Sequence, residues 1–223
     1  MGEKRTGRSV GRPAPHSTDS LLPVAVGVFI ERGYDGTSME DLARAMGIGK
    51  SSIYHHVAGK ETLLRLAVER AIDRLFAVLD EPGASSGPAV DRLRYVIGRT
   101  TEVLLGELPY VTLLLRVRGN TETERWALER RREFDRRVTV LLREAAEDGA
   151  VRDDIEPRLA TRLLFGMINS LVEWRHHPGS ADAEIVRAVV ALASRGVETE
   201  RQPQPDSSPR ARPAAKTARR AAS

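Results

Sequence analysis

The sequence predicts an all-α protein of nine helices, because apolar residues recur at helical spacing along most of the chain and alternating strand patterns are nearly absent. Stop signals rich in Gly and Pro divide the helical stretches from one another. At 223 residues, the chain is long enough for one or two domains with an apolar core. The helices are predicted at about 20–32, 38–47, 50–57, 60–80, 89–106, 109–118, 121–148, 157–177 and 181–196.

Composition excludes several classes of protein. The sequence has no Cys, so neither a disulfide framework nor a thiolate metal site is expected. It has no apolar run of 18 residues that could span a membrane, and its charged N-terminus does not resemble a signal peptide. We therefore expect a soluble cytoplasmic protein with no cofactor and no bound metal.

Charge is unevenly distributed along the chain. The net charge is +4, but the basic excess lies in residues 1–18 and 198–223, and the segment between them is net acidic. Both ends are rich in Pro, Ser, Ala or Gly, which predicts disordered arms. Such arms either add non-specific attraction to nucleic-acid phosphates or only keep the protein soluble.

Local signals predict where the first helices begin and end. Ser20 as N-cap would place Pro23 in the first turn, where its missing N–H costs nothing. Gly33 is expected to close the first helix. Residues 37–40 read as a capping box that starts the second helix, which is expected to end at Gly47.

The stretch MGIGKSSIYHH at 46–56 could be taken for a phosphate loop or a metal site, but its spacing fits neither. A P-loop would need glycine where Arg44 stands, and the dinucleotide fingerprint would need a third glycine where Ser52 stands. His55 and His56 would point about 100° apart on a helix, which makes a poor chelate.

A helix-turn-helix explains this stretch better. Ala43, Gly47 and Ile53 follow the spacing A-x3-G-x5-I. In that motif the alanine allows close helix approach, the glycine supplies a positive-φ turn, and the isoleucine packs the second helix onto the core. The next helix then presents cationic and hydrogen-bonding groups suited to the major groove, namely Lys50, Ser51, Ser52, Tyr54 and His55. The alternative is a solvated polar face on an ordinary helical bundle.

The segment FIERGYDGTSMEDLARAMGIGKSSIYHHVAGKETLL, residues 29–64, resembles the DNA-binding segment of the tetracycline-repressor (TetR) family. The resemblance implies a TetR-like architecture with a three-helix DNA-binding domain at 19–65. It also implies a helical effector-binding and dimerisation domain at 66–197. The chain would then bind double-stranded DNA as a homodimer on a pseudo-palindromic operator, dimerising through the helices at about 157–177 and 181–196.

The same resemblance implies roles for individual residues. Thr37, Tyr54 and Lys60 would hold phosphates. Lys50, Ser51, Ser52 and His55 would approach base edges. Ser38, and Gly49 with its free amides at the start of the third helix, complete the expected DNA-binding set.

The effector is less directly indicated. Residues 104–119 and 165–178 are apolar, contain small residues and end in arginines, which suits an apolar or acyl group on a phosphorylated carrier. These segments are similar to repressors of phenylacetate catabolism, which implies a CoA thioester, such as phenylacetyl-CoA, as the small-molecule effector. The expected effector-binding residues are Leu105, Leu113, Arg116, Arg118, Phe165, Ile168, Asn169, Val172, Trp174 and Arg175.

Three other readings remain open from the sequence. A TetR-like regulator of a drug-efflux gene would use the same apolar helices for a hydrophobic drug. A non-specific nucleoid-type DNA-binding protein would share the basic arms but would lack a large apolar C-terminal domain. An enzyme would need convergent acid, base or nucleophilic groups, and no such spacing is present, so no catalytic residue is assigned.

Overall fold

The computed structural model describes residues 17–175, 179 and 181–197, and it confirms the all-α fold class. The basic stretches at 1–16 and 198–223 lie outside the described residues. The described helices are α1 (Thr18–Arg32), α2 (Met39–Met46), α3 (Lys50–His56), α4 (Lys60–Asp80), α5 (Pro82–Ser85), α6 (Ala89–Gly106), α7 (Leu108–Arg116), α8 (Glu122–Glu147), α9 (Pro157–Asn169), α10 (Leu171–Trp174) and α11 (Asp182–Val197).

The described helices differ from the nine predicted ones by two additional short helices, α5 and α10, of four residues each. Pro82 was expected only to end the fourth helix, but it also opens α5, because proline is well suited to the first position of a helix. The predicted helix 157–177 breaks at Ser170, whose hydroxyl donates to the Met167 carbonyl at 2.7 Å, and α10 follows. The last part of that prediction, 176–177, lies outside the described residues.

Two predicted caps are shifted in the structure. The N-cap of α1 is Ser17 and not Ser20, and its hydroxyl accepts from the Ser20 amide at 3.3 Å. Pro23 consequently lies beyond the first turn of α1. At α2 the capping box is confirmed, but Asp41 and not Glu40 completes it, because the reciprocal partner stands three residues after the Ser38 N-cap.

The buried side chains form two apolar clusters. The first lies in α1 to α4, which we call the head, and it extends to Leu113, Leu114 and Val117 at the end of α7. The second joins α4, α6, α8, α9 and α11 around Phe134 and Ile168. α4 contributes to both clusters, so it joins the head to the larger helical body. No helix in the described part of the chain is long and apolar enough to cross a bilayer.

The junction after α4 is held by a carboxylate. Glu81 accepts from Arg99 Nε at 2.8 Å and from the Tyr95 hydroxyl at 2.5 Å, both on α6. The hydrogen bonds from Arg99 and then from Tyr95 lower the pKa of Glu81 from 4.5 to about 2. This cluster therefore fixes the end of α4 to α6 as long as Glu81 is ionised.

We expect Glu81→Gln to destabilise the protein by about 1 kcal/mol at neutral pH, since the side-chain volume is kept and the charge is lost. Because the pKa of Glu81 is lower in the folded protein, ionised Glu81 stabilises the fold at pH values above the pKa of Glu in the unfolded chain. This stabilisation is lost as the pH falls toward about 2. The stability difference between wild type and variant, measured by urea unfolding, should therefore narrow below about pH 4.5. A constant difference across this pH range would contradict the assignment.

Candidate DNA-binding helix and effector cavity

The helix-turn-helix has the packing that its spacing predicts. Ala43 is 2% exposed where α2 meets the head core, and Ile53 on α3 is fully buried. Gly47 adopts φ +67°, the left-handed conformation that favours glycine at the end of a helix. The three residues thus fix the angle at which α3 leaves the turn.

The opposite face of α3 is open to solvent. Lys50, Ser51, Tyr54 and His55 are exposed, with 51% of Tyr54 accessible, and Ser52 is partly buried. Gly49 is the N-cap and provides no side-chain cap, in keeping with the sequence expectation. The Lys50 ammonium lies 3.4 Å from a Glu40 carboxylate oxygen on α2, but both side chains are more than half exposed, so this pair restrains Lys50 little.

Thr37 and Ser38 do not present free side chains to DNA. Thr37 is buried, and its hydroxyl donates to the Gly33 carbonyl at 2.7 Å. The Ser38 hydroxyl accepts from the Asp41 amide at 3.1 Å and donates to the Asp41 carboxylate at 2.5 Å. The Thr37 hydroxyl thus caps the end of α1, and the Ser38 hydroxyl caps the start of α2.

The Lys60 side chain is hydrogen-bonded within the head. Its ammonium donates to the carbonyls of Tyr34 and Thr37, both at 2.9 Å, and lies 4.5 Å from the centre of the Tyr34 ring. A third carbonyl, that of Asp35, is 3.4 Å away. Lys60 therefore holds the loop between α1 and α2, and reaching a phosphate would require breaking these bonds.

We expect Lys60→Ala to lower the free energy of unfolding by about 1–3 kcal/mol, since hydrogen bonds from a charged donor are lost. The slope of log K against log salt for DNA binding should stay near the wild-type value. Unfolding would be followed by circular dichroism and DNA binding by fluorescence anisotropy at several salt concentrations. A slope reduced by about 1 per head would instead show that Lys60 reaches a phosphate.

A cavity of about 310 Å³ lies among α4, α6, α7, α8 and α9. We call it the inter-helix cavity. Most of its wall is apolar, and its volume falls at the lower end of the range of about 300–1,000 Å³ typical of small-molecule sites. It is lined by Ala71, Leu75, Thr100, Val103, Leu104, Val111, Leu114, Leu115, Arg131, Phe134, Asp135, Arg162, Phe165, Gly166 and Asn169.

Five of the fifteen residues that line the inter-helix cavity are polar or charged, namely Thr100, Arg131, Asp135, Arg162 and Asn169. The Thr100 hydroxyl is buried and has no hydrogen-bond partner in the described part of the chain, whereas the Thr101 hydroxyl bonds the Ile97 carbonyl at 2.8 Å. Burial lowers the pKa of Arg131 and raises that of Asp135, although the Arg131 and Arg162 cations oppose the latter shift. The wall thus combines an unsatisfied hydroxyl with a partly desolvated pair of opposite charges.

Of the residues expected to bind an effector, the structure brings only Phe165 and Asn169 to the inter-helix cavity. Leu105, Ile168 and Val172 pack into or against the core of the body instead. Leu113, Arg116 and Arg118 lie at a separate surface depression beside the head, and Arg116 donates to the Ile30 carbonyl at 2.7 Å. Trp174 is 57% exposed, and Arg175 pairs with Asp182 at 2.6 Å.

Sequence reasoning missed the charged members of the wall. Arg131 and Asp135 flank Phe134 on α8, where Phe134 belongs to the predicted apolar stripe. Charges spaced four residues apart at the edge of such a stripe were a usable signal, because they share the face that packs inward. The Thr100 hydroxyl gave no comparable signal, since helical threonines usually bond their own backbone.

Comparison with known proteins places this geometry in a family. Residues 21–67 match the family described as bacterial regulatory proteins, tetR family, and residues 86–197 match the tetracyclin repressor-like C-terminal domain. The chain belongs to the TetR family. These matches cover the helix-turn-helix and the four helices α6 to α9 of the cavity wall, whereas Ala71 and Leu75 of α4 lie between the two matched ranges.

Individual TetR-family members are similar over most of the chain. The HTH-type transcriptional repressor KstR2 of Rhodococcus jostii is 29% identical over 169 residues, which cover 74% of this chain and 83% of the repressor. SCO3833, a TetR-family member from Streptomyces coelicolor A3 with a known crystal structure, is 65% identical in sequence. Its structure aligns with a TM-score of 0.76 over 80% of this chain and 91% of SCO3833. AibR in complex with isovaleryl coenzyme A and operator DNA is 23% identical, with a TM-score of 0.67, and covers 78% of this chain and 96% of its own.

These comparisons confirm the main functional prediction. The protein is a ligand-responsive DNA-binding transcriptional repressor of the TetR family, and its relatives are regulators and not enzymes. The reading as a non-specific nucleoid-type protein does not fit, because the chain carries the family's C-terminal domain.

Proposed function

We propose that this TetR-family repressor leaves a pseudo-palindromic operator when the acyl group of a CoA thioester fills the inter-helix cavity. The observation that carries the proposal is the path of α4. Ala71 and Leu75 of α4 line the cavity, whereas Leu63 and Leu64 of the same helix are fully buried in the head. A ligand that displaces α4 would therefore move the head with it.

α7 forms a second connection between cavity and head. Val111, Leu114 and Leu115 of α7 line the cavity, and Leu114 also belongs to the head cluster. At the end of α7, the hydrogen bond from Arg116 to Ile30 holds the last turn of α1. The effector shifts the equilibrium only if it binds the DNA-released arrangement of α4 and α7 more tightly than the DNA-bound one.

The chemistry of the inter-helix cavity favours an acyl group with one polar atom. Its apolar wall suits a hydrocarbon or aromatic group, and the unpartnered Thr100 hydroxyl offers a donor for a carbonyl oxygen. The complex of AibR with isovaleryl coenzyme A shows that a protein of this fold can take such a ligand. Phenylacetyl-CoA, suggested by the sequence, is of the same class.

The DNA-reading surface of the proposal is the exposed face of α3. Lys50, Ser51, Ser52 and His55 would approach base edges, and Tyr54 would hold a phosphate, as would the free amides that follow the Gly49 N-cap. Phosphate contacts position a protein on DNA, while base contacts select the sequence. A regulator that acts on the chromosome in this way would work in the bacterial cytoplasm.

A dimer is needed for operator recognition, because one helix-turn-helix contacts only a few base pairs. Leu159 and Leu163 lie four residues apart on α9 and are 51% and 62% exposed, and Leu192 on the neighbouring α11 is 64% exposed. Large apolar side chains exposed together on adjoining helices favour an interface between two copies. We propose that α9 and α11 pack against their symmetry mates.

We expect Leu163→Glu to convert the dimer into a monomer of 24.6 kDa, because two buried carboxylates would face each other across the symmetric interface. Light scattering coupled to gel filtration measures the mass. Val24→Glu on α1, another exposed apolar position, is the matched control and should remain dimeric. A dimer that persists with Leu163→Glu would place the interface elsewhere.

The functional proposal is tested by release of the protein from DNA. An operator would be selected from random duplexes, and anisotropy would follow its release on titration with phenylacetyl-CoA, fatty acyl-CoA thioesters and hydrophobic drugs. Release by thioesters alone supports the proposal. Release only by drugs would favour the efflux-gene alternative, and an operator that stays bound with every thioester would reject the proposed effector class.

A further inference from the structure

A second depression adjoins the inter-helix cavity on the outside of α8 and α9. It encloses about 600 Å³, and five of its nine lining residues are arginines while one is a carboxylate. We call it the arginine groove. Its lining residues are Arg132, Asp135, Arg136, Thr139, Val140, Arg143, Arg158, Thr161 and Arg162.

The cations of the arginine groove are only partly neutralised. Arg132 and Arg136 pair with Glu129, at 3.3 Å and 3.2 Å, along the exposed face of α8. No carboxylate of the described residues forms an ion pair with Arg143 or Arg158. Since α8 contributes Arg143 and α9 contributes Arg158, unpaired guanidinium groups line both sides of the groove.

The arginine groove and the inter-helix cavity share part of their walls. Asp135 of α8 and Arg162 of α9 line both. The cavity side of this junction is largely apolar, whereas the groove side is cationic. The two sites together therefore match a ligand with an apolar end and a polyanionic end joined by an uncharged segment, which would pass Asp135.

We infer that the arginine groove is the phosphate subsite of the effector, whose acyl end occupies the inter-helix cavity; this inference rests on the proposed function. Guanidinium groups suit this task because their planar donors match phosphate oxygens in pairs. The phosphates lie toward Arg143 and Arg158, away from the Asp135 carboxylate. The ligand class is thus an acyl thioester of a phosphorylated carrier and not the free acid.

The experiment compares two double variants with the same change in charge. Arg143→Ala with Arg158→Ala removes unpaired cations from the groove. Arg125→Ala with Arg152→Ala removes exposed cations elsewhere and is the control. Calorimetry measures the binding of saturated acyl-CoA thioesters from butyryl to palmitoyl, of phenylacetyl-CoA and of the matching free acids. Circular dichroism shows that each variant is folded, and operator affinity is measured without ligand.

The groove variant should bind the preferred thioester about 10- to 100-fold more weakly, because charge-assisted hydrogen bonds to phosphate are lost. The control should bind it like wild type. Equal affinities for thioester and free acid in wild type would overturn the inference while leaving an apolar effector in place. Thioester binding unchanged in the groove variant, or weakened as much in the control, would overturn it too.

Four further outcomes bear on the inference or on the proposed function. If the groove variant loses operator affinity without ligand, the groove is a DNA-binding surface. If it changes its mass in solution, the groove is a contact between subunits. If no thioester binds wild type, both the inference and the proposed effector class fail. If a thioester binds but does not release DNA, the proposed function is rejected, and the affinities of the two double variants alone decide whether the groove binds phosphate.

Discussion

Replacing Lys50 by Ala is expected to weaken operator binding by about 30-fold to 20,000-fold. A lysine that contacts guanine contributes about 1–3 kcal/mol to discrimination, and a dimer carries two copies, so about 2–6 kcal/mol is lost. Lys50 begins α3, is exposed, and is held only by a solvent-exposed pair with Glu40. Anisotropy with operator and random duplexes measures the effect, which should be larger on the operator.

Arg44→Ala is the matched control for Lys50. Arg44 is an exposed cation on α2, pairs with Asp41 at 3.3 Å and comes within 3.9 Å of Glu40, so its removal changes the charge of the head equally. Loss of Arg44 should weaken binding to operator and to random DNA equally, and by much less than Lys50→Ala weakens operator binding. If both variants lose the same affinity for the operator, Lys50 acts through general charge, and the proposed base contact is wrong.

Gly166→Phe is expected to leave operator binding intact and to weaken the response to the effector by about 5- to 150-fold, since overpacking a filled site costs about 1–3 kcal/mol. Gly166 lines the inter-helix cavity on α9, and a Cβ built on it meets no atom within 4 Å. A phenylalanine there can therefore take up cavity space without disturbing the helix. The measurement is the thioester concentration that half-releases a labelled operator.

Gly106→Phe provides the control for this prediction. Gly106 ends α6, is exposed, also has no atom within 4 Å of a built Cβ, and does not line the inter-helix cavity. This variant should respond to the thioester like wild type. A normal response from Gly166→Phe would mean that the effector binds elsewhere, and loss of operator binding would mean that the substitution has disturbed the fold.

The helix-turn-helix was predictable from the sequence because its determinants are local. Ala43, Gly47 and Ile53 act through close approach, positive φ and burial within one short segment, and all three are used in the structure as predicted. Cap residues were less well predicted, because serines three residues apart, such as Ser17 and Ser20, compete for the same helix start.

The effector site was less predictable because five helices contribute to its wall. Apolar residues on α7 and α9 looked equivalent in the sequence, but the packing of the body buries Ile168 and leaves Phe165 and Asn169 at the cavity. Lys60 shows the same limit, since its partners are carbonyl groups more than twenty residues away in the chain. Which face of a helix meets a cavity is decided by tertiary packing.

The most direct test of the account is a hydroxyl-radical footprint of the protein on its selected operator, with and without a saturating thioester that binds it. We predict protection of two half-sites about 34–36 Å apart, or a multiple of this spacing, and loss of both when the thioester is added. Protection that continues along the duplex without half-sites, or half-sites that stay protected with thioester bound, would contradict it.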